Sequence, residues 1–380
     1  MIMRRQGGGV SVKDKVNVIG GGIFGCTAAI LAARMGYEVH LYEKRNTLLT
    51  GASSHNQWRL HRGYHYPRSP ETGKECRLGI DAFTRFYPGV LQLPRVSCYA
   101  IAEEDSRTSP EAYLKFLSDS GLPSTKFRLG NPLRNVALSI EVQERLIEPW
   151  DLRRVILYKL NQHKVKVHLS HNGVVAMGDE PDVPTVVAVY DKTNLVLGTT
   201  NRYRFQLVEK PVVWLEDDRS RSLSVVILDG PFGCIDPYGN SGLHLVGHVT
   251  EAVHNEWTGQ GYDLPPGLGE AYVNAYIHGN PPVTRWPEIQ KALGKFVTPL
   301  NGAHHVGSMF TVRCVHAGVE ETDERPTDVV KVRDNRVSIV SGKIPTCVIA
   351  AKKAWSLLGV GELPDSHDVF VERLAEGAQL

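Results

Sequence analysis

Residues 16–43 constrain the fold of this chain more than any other stretch. Val16–Ile19 is an apolar run, and Gly20, Gly22 and Gly25 give G-x-G-x-x-G directly after it. Phe24–Met35 continues as an alanine-rich helix, Gly36 turns the chain, and Glu38–Glu43 reads as a second strand ending on a carboxylate. The first glycine allows a tight turn, and the second lets the backbone approach a pyrophosphate. The third brings the helix close to the sheet. The helix N-terminus points free N–H groups and a positive dipole end at phosphate. Glu43 stands where a carboxylate accepts both ribose hydroxyls of an adenosine. A glycine turn alone also arises for packing reasons. Here strand, turn, helix, strand and terminal acid agree, and they predict a dinucleotide-binding βαβ unit.

The rest of the chain limits what surrounds that unit. With 380 residues, 42% of them hydrophobic, it has material for a large core and about two domains. Its net charge is +2 and no Lys/Arg block stands out, which disfavours nucleic acid or a membrane surface as partner. No apolar run approaches the ~20 residues that cross a bilayer. The first 15 residues carry Arg4 and Arg5 but no apolar segment behind them, because Lys13, Asp14 and Lys15 interrupt it. They read as a frayed tail and not as an export signal. Cys26, Cys76, Cys98, Cys234, Cys314 and Cys347 form no C-x-x-C, which suits reduced thiols in a cytoplasm and argues against a metal site.

Residues 48–70 form a loop dense in His, Arg, Tyr, Ser and Gly. Helical patterning returns at Thr72–Tyr87, Pro110–Ser120 and Leu146–Asn161, with strand-like runs at Val165–Leu169 and Val183–Tyr190. From Tyr203 to Val249 the pattern is antiparallel strands, among them 203–215, Leu223–Leu228 and Leu243–Val249, with turn signals at 229–231 and 236–240. Residues 250–300 read as helical with a Pro/Gly-rich break at 264–268. Asn335–Val340 is a strand, 341–346 a turn and Cys347–Leu358 an apolar helix, in the style of the N-terminus. The two styles interleave. The expected architecture is α/β: a discontinuous nucleotide-binding domain (12–80, 145–200 and 305–375) with a mainly antiparallel, sheet-based substrate domain (81–144 and 201–304) inserted twice.

Three segments carry a resemblance to the D-amino-acid-oxidase-like flavoproteins. Gly20–Gly25 through Glu43 is similar to their N-terminal cofactor unit. Thr50–Asn56, followed by 60–66 (Leu-His-Arg-Gly-Tyr-His-Tyr), resembles the 2-hydroxyglutarate dehydrogenase pattern of small residues, an Asn, then hydrophobic-His-x-Gly-x-Tyr-Tyr. Ser341–Thr346 resembles the Gly-Lys-x-Thr turn of glycerol-3-phosphate dehydrogenases. In that superfamily the turn feeds a helix whose N-terminus faces the flavin's pyrimidine end and stabilises reduced, anionic flavin. One departure stands out: many relatives have a strand ending in Asn-Ala-Thr-Gly, where this chain has Val186–Tyr190. The resemblance implies a Rossmann-like FAD-binding domain of the glutathione-reductase type. It implies FAD contacts from Gly20, Gly22, Ile23, Phe24, Gly25, Glu43, Lys44, Ser53, Ser54, His55, Asn56, Gly342, Lys343, Ile344, Pro345 and Thr346.

The candidate catalytic residues are His61, Arg62, Tyr64 and Tyr238. His61 is either a base or orienting group, since imidazole titrates in the right range, or a histidine bound to the loop backbone. Arg59, Arg62 and Arg68 offer a carboxylate clamp, at least one of them being an ordinary ion-paired arginine. His55 occupies a place similar to the histidine that carries covalent flavin in one branch, or makes a non-covalent polar contact. Lys343 lies near the flavin or flanks its helix. Arg313 and Arg325 lie where relatives place a substrate-carboxylate arginine, and Arg325 beside Glu320–Glu324 reads better as an ion pair. Tyr238, His244 and His248 line a substrate pocket or a solvated strand face. The function expected is an FAD-dependent oxidase or dehydrogenase. It would oxidise a C–N or C–OH carbon of a small anionic or polar substrate by hydride transfer to flavin N5, with oxygen or another acceptor as electron sink. The alternatives are a flavin-dependent monooxygenase, for which no second G-x-G-x-x-G binds NAD(P)H, and a flavin-binding protein without turnover.

Overall fold

The computed structural model describes residues 14–361, except 95, 128–131, 175–177, 179, 200, 218–221, 262–263 and 319–323. The N-terminal tail through residue 13 lies outside the described residues. Strand β1 (Lys15–Ile19), helix α1 (Ile23–Arg34) and β2 (Glu38–Tyr42) form the βαβ unit, with β1 and β2 parallel and Ile19 opposite Tyr42. Residues Ile23–Ala32 of α1 are buried because the helix is packed on several sides. It lies between the sheet and the C-terminal helix Cys347–Leu357, whose Trp355 indole donates to the Ala28 carbonyl at 2.9 Å. Alanines let those two helices approach closely.

Six strands form the sheet around this unit. Their order is Asp328–Arg333, Arg336–Val340, Thr185–Val187, β1, β2 and Lys166–His168, parallel except at the first pair. The carboxyl ends of β1, β2 and Thr185–Val187 therefore stand side by side, where a parallel α/β sheet presents its ligand crevice. The helices Pro70–Phe86, Pro110–Asp119 and Pro149–Gln162 each begin on a proline, which supplies a helical φ and gives up no hydrogen bond there.

A second sheet of nine strands is mostly antiparallel, with one parallel pair, Leu223–Leu228 against Val96–Ala102. Tyr203–Trp214 and His304–His316 pair along their full length. Strand alternation puts Gln206, Val208 and Lys210 on one face beside Arg313, Thr311 and Met309. The other face packs on the helix Trp286–Gly294 with Val297 and Leu300.

Three expectations need correction. Residues 250–300 hold a strand, Val253–Trp257, and only one α-helix, Trp286–Gly294, among the described residues, because prolines and glycines break the remainder into turns. Residues 305–316 belong to the larger sheet and not to the nucleotide-binding one, since the long pairing with Tyr203–Trp214 holds them there. Leu146 and Ile147 pair with Leu91 and Gln92, so that helix begins at Pro149. No helix among the described residues is long and apolar enough to cross a membrane.

Candidate active site

A cavity of about 580 Å³ opens between the carboxyl ends of the smaller sheet's central strands and the Lys210 face of the larger sheet. Where the glycine turn borders it, Gly20 and Gly25 leave no room for side chains. Gly20 has φ +103°, and a Cβ there would sit 2.3 Å from the Ala188 carbonyl oxygen. A Cβ on Gly25 would sit 1.8 Å from the Gly20 carbonyl oxygen. The Gly21 N–H donates to Glu43 Oε2 at 2.7 Å, and the Ile23 N–H donates to Ser53 Oγ at 2.9 Å. Backbone N–H groups at a helix N-terminus beside a strand-end carboxylate match a pyrophosphate and an adenosine ribose. The residues present fit FAD.

Of the expected cofactor residues, Gly20, Gly22, Ile23, Phe24, Glu43, Lys44, Ser53, His55, Asn56, Gly342, Lys343 and Ile344 line the cavity. Gly25, Ser54, Pro345 and Thr346 are not among its lining residues. Gly25 packs against Gly20, and the Ser54 hydroxyl donates to the Leu49 carbonyl. The Thr346 hydroxyl donates to the Lys343 carbonyl at 2.7 Å and so shapes the turn from behind. The segment after Val187 borders the cavity through Ala188–Lys192, in place of the Asn-Ala-Thr-Gly of relatives. His55 is buried, and its ring nitrogens lie 2.9 Å from the Gly51 carbonyl and 2.6 Å from that of Ala275. Burial lowers its pKa.

His61 also lines the cavity. Its Nδ1 has no hydrogen-bond partner among the described residues and lies 3.7 Å from Glu144 Oε1. Burial, then the positive charge of Lys343, then His65 and Arg59, hold its pKa well below the ordinary histidine value, so the ring is neutral at neutral pH. Lys343 Nζ stands 5.1 Å from the Tyr66 ring centre.

The other three expected catalytic residues lie elsewhere. Gly63, at φ +110°, reverses the loop and sends Tyr64 into a core cluster with Tyr99 and Tyr113. Tyr64 is fully buried and its hydroxyl donates to the Pro123 carbonyl at 2.7 Å. The Arg62 guanidinium reaches the Gln143 carbonyl at 3.4 Å, outside the cavity lining. Tyr238 sits in the 236–240 turn with its ring 5.1 Å from Trp150, also outside the lining.

Among the other arginines, Arg59 is buried between Asp236 and Glu144, with Nε 3.0 Å from Asp236 Oδ2 and Nη1 3.3 Å from Glu144 Oε1. Arg68 grips Asp229 in bidentate fashion at 2.7 and 3.1 Å. Arg313 does line the cavity, with its Nε donating to Gln206 Oε1 at 2.8 Å. Arg325 does not; its Nη1 donates to the Glu324 carbonyl. His248 lines the cavity and His244 does not.

Three lining residues escape a sequence reading. Lys210 is half-buried, and burial lowers its pKa. The signal was a lysine inside an otherwise well-buried strand. Gln57 presents a carboxamide, and Trp58 an indole N–H, that find no hydrogen-bond partner among the described residues. Trp58 holds φ +56°, which nothing in the sequence announces for a bulky residue.

With this geometry in view, a profile of the FAD-dependent oxidoreductase (DAO) family matches residues 15–151. The chain is 34% identical over 356 residues to the FAD-dependent monooxygenase FPY4 of Fusarium mangiferae, covering 90% of each. Among solved structures it resembles glycine oxidase from Geobacillus kaustophilus (TM-score 0.65, 13% identity, 94% of this chain and 97% of that one). It resembles equally L-α-glycerophosphate oxidase from Mycoplasma pneumoniae (TM-score 0.66, 15% identity, 93% and 97%). The chain belongs to the DAO family of FAD-dependent oxidoreductases.

Proposed function

We propose that this enzyme oxidises a C–OH or C–N carbon of a small anionic or polar substrate, with His61 as the base. The observation that carries this is the His61 imidazole on the wall of the cavity that Lys343, Lys210 and Arg313 also line, with burial holding its pKa down. Bound flavin supplies a two-electron acceptor that oxygen or another acceptor then regenerates. The cavity-lining residues among those expected to contact FAD hold it, the glycine turn taking the pyrophosphate and Glu43 the ribose. Arg313, oriented by Gln206, and Lys210 bind a negative group of the substrate. His61 takes the proton from the substrate's O–H or N–H as its C–H bond breaks, and a neutral ring at working pH is what that task requires. The division of labour is between the smaller sheet with its helices as cofactor holder and the larger sheet as substrate wall.

A second reading, a monooxygenase, is favoured by the name of the FPY4 relative. One experiment separates them. The FAD-loaded protein is followed anaerobically near ~450 nm while a panel of 2-hydroxy acids, amines and hydroxylated ring compounds is added, then NADH or NADPH. Bleaching by a substrate alone supports the oxidase reading. Bleaching only by a nicotinamide, with 18O from O2 in the product, supports the monooxygenase. A flavin that nothing reduces leaves a binding protein without turnover.

A further inference from the structure

A carboxylate stands directly behind His61. Glu144 lies in the turn between the strands Val136–Val142 and Leu146–Ile147 and is fully buried. Its Oε1 is 3.7 Å from His61 Nδ1, the ring nitrogen with no hydrogen-bond partner among the described residues. Three donors fix this carboxylate from other sides: Tyr99 Oη to Oε1 at 2.6 Å, the Arg62 N–H to Oε2 at 3.0 Å, and Arg59 Nη1 to Oε1 at 3.3 Å. Arg59 is shared with Asp236, to which the Ser224 hydroxyl also donates at 2.8 Å.

His61 faces the acidic side of a buried charge cluster. Arg59 stands between two carboxylates that burial pushes up, and Lys210 is a second cation acting on Asp236, so Glu144 has Arg59 as its nearest cation. An imidazolium at His61 would add a second positive charge beside Glu144. Burial, then Lys343, His65 and Arg59, act against that charge at rest. A 3.7 Å approach is longer than a hydrogen bond, yet catalytic contacts are often long in ligand-free structures and tighten in the complex.

We propose that Glu144 is the positioning residue for His61. It accepts the Nδ1–H of the neutral ring, leaves Nε2 unprotonated for the cavity, and stabilises the imidazolium formed when Nε2 takes the substrate's O–H or N–H proton. The proton leaves the substrate oxygen or nitrogen and ends on Nε2, while the Nδ1 proton stays on its nitrogen. This rests on the reading of His61 as the base.

The test needs no substrate. Histidine side chains of the 15N-labelled FAD-loaded protein are observed by long-range proton–nitrogen correlation across a pH series, with His61→Asn to assign the resonance. The expected wild-type ring is the Nδ1–H tautomer. Glu144→Gln should lower the proton affinity of His61 about tenfold, one pH unit. Tyr99→Phe should raise it, because it removes the proton that competes for the same Oε1. An Nε2–H tautomer in the wild type overturns the proposal, and so does a His61 pKa unmoved in Tyr99→Phe. If Glu144→Gln does not fold, Tyr99→Phe carries the test alone. The expected tautomer and shifts in a protein whose flavin no substrate reduces would refute the function reading and leave the pairing standing.

Discussion

Replacing Arg59 with Met keeps most of the side chain's volume and deletes its charge. In the native fold the guanidinium is sealed from solvent, lies 2.6 Å from Asp236 Oδ1 through Nη2, reaches Glu144 through Nη1, and sits 5.5 Å from the Tyr99 ring centre. Removing one partner of a buried ion pair costs about 3–5 kcal/mol, because the other partner stays buried and uncompensated. At roughly 2–4 °C per kcal/mol, the melting temperature should fall by roughly 6–20 °C. The deficit should depend on pH. Burial already raises the Glu144 and Asp236 pKa values in the folded state, and loss of the guanidinium raises them further. The folded protein then binds more protons than the unfolded chain, whose carboxylates titrate near ~4. Stability from these groups is therefore present below about pH 4 and is lost as pH rises through the folded-state values. Melts followed by circular dichroism, with FAD in excess, should show a small deficit near about pH 5 and a large one near about pH 7.5. The triple variant Arg59→Met, Glu144→Gln, Asp236→Asn should recover most of the loss, since no buried carboxylate is left without its guanidinium. A deficit below about 1 kcal/mol at the higher pH, or one equal at both, would refute the reasoning.

Three further outcomes follow from the same geometry. Gly25→Ala puts a methyl 1.8 Å from the Gly20 carbonyl, so α1 must shift. The variant should lose about 1–3 kcal/mol and purify with little flavin, measured by its absorbance ratio. Both His55 ring nitrogens face backbone carbonyls. Acid precipitation should accordingly release all the flavin into the supernatant, and a yellow pellet would contradict this. Arg313→Leu removes a cation from the cavity wall while Lys210 and Lys343 remain. Titration of the bound flavin's spectrum with a series of monocarboxylates should show roughly tenfold weaker binding, about 1.4 kcal/mol, with no change for neutral alcohols.

What the sequence made legible was local. The glycine turn, α1 and Glu43 are consecutive, so spacing alone placed them, and the apolar helix after residue 346 was equally plain. The loop 50–66 was recognisable as a segment, but its side chains were not separable by type. His61 and Tyr64 are three residues apart, and a left-handed Gly63 sends the tyrosine into the core. No pattern in the chain says so. Glu144 and Asp236 were invisible for a different reason: their partners are distant in sequence, Arg59 lying 85 and 177 residues away from them. Lys210 became meaningful only once pairing with His304–His316 set it on the same face as Arg313.

Long-range polar contacts also explain why the loop 50–66 can belong to the cavity at all. Within itself the loop is tied by Asn56, which donates to the Ala52 and Ser53 carbonyls and accepts from the Trp58 N–H. Outward it is fixed by His55 to Ala275 and by Arg59 to Asp236 and Glu144. Apolar contact alone is non-directional and would tolerate a loop that slides across the larger sheet. A guanidinium fork between two buried carboxylates does not, because its hydrogen bonds have fixed directions. The same arrangement sets the electrostatics of the cavity. Lys210, Arg313 and Lys343 put positive charge on its wall, which favours an anionic ligand, while burial, then Lys343, His65 and Arg59, hold the His61 pKa down. Position and basicity of His61 on that wall thus both depend on the buried charge cluster behind it, so a change there should alter both together.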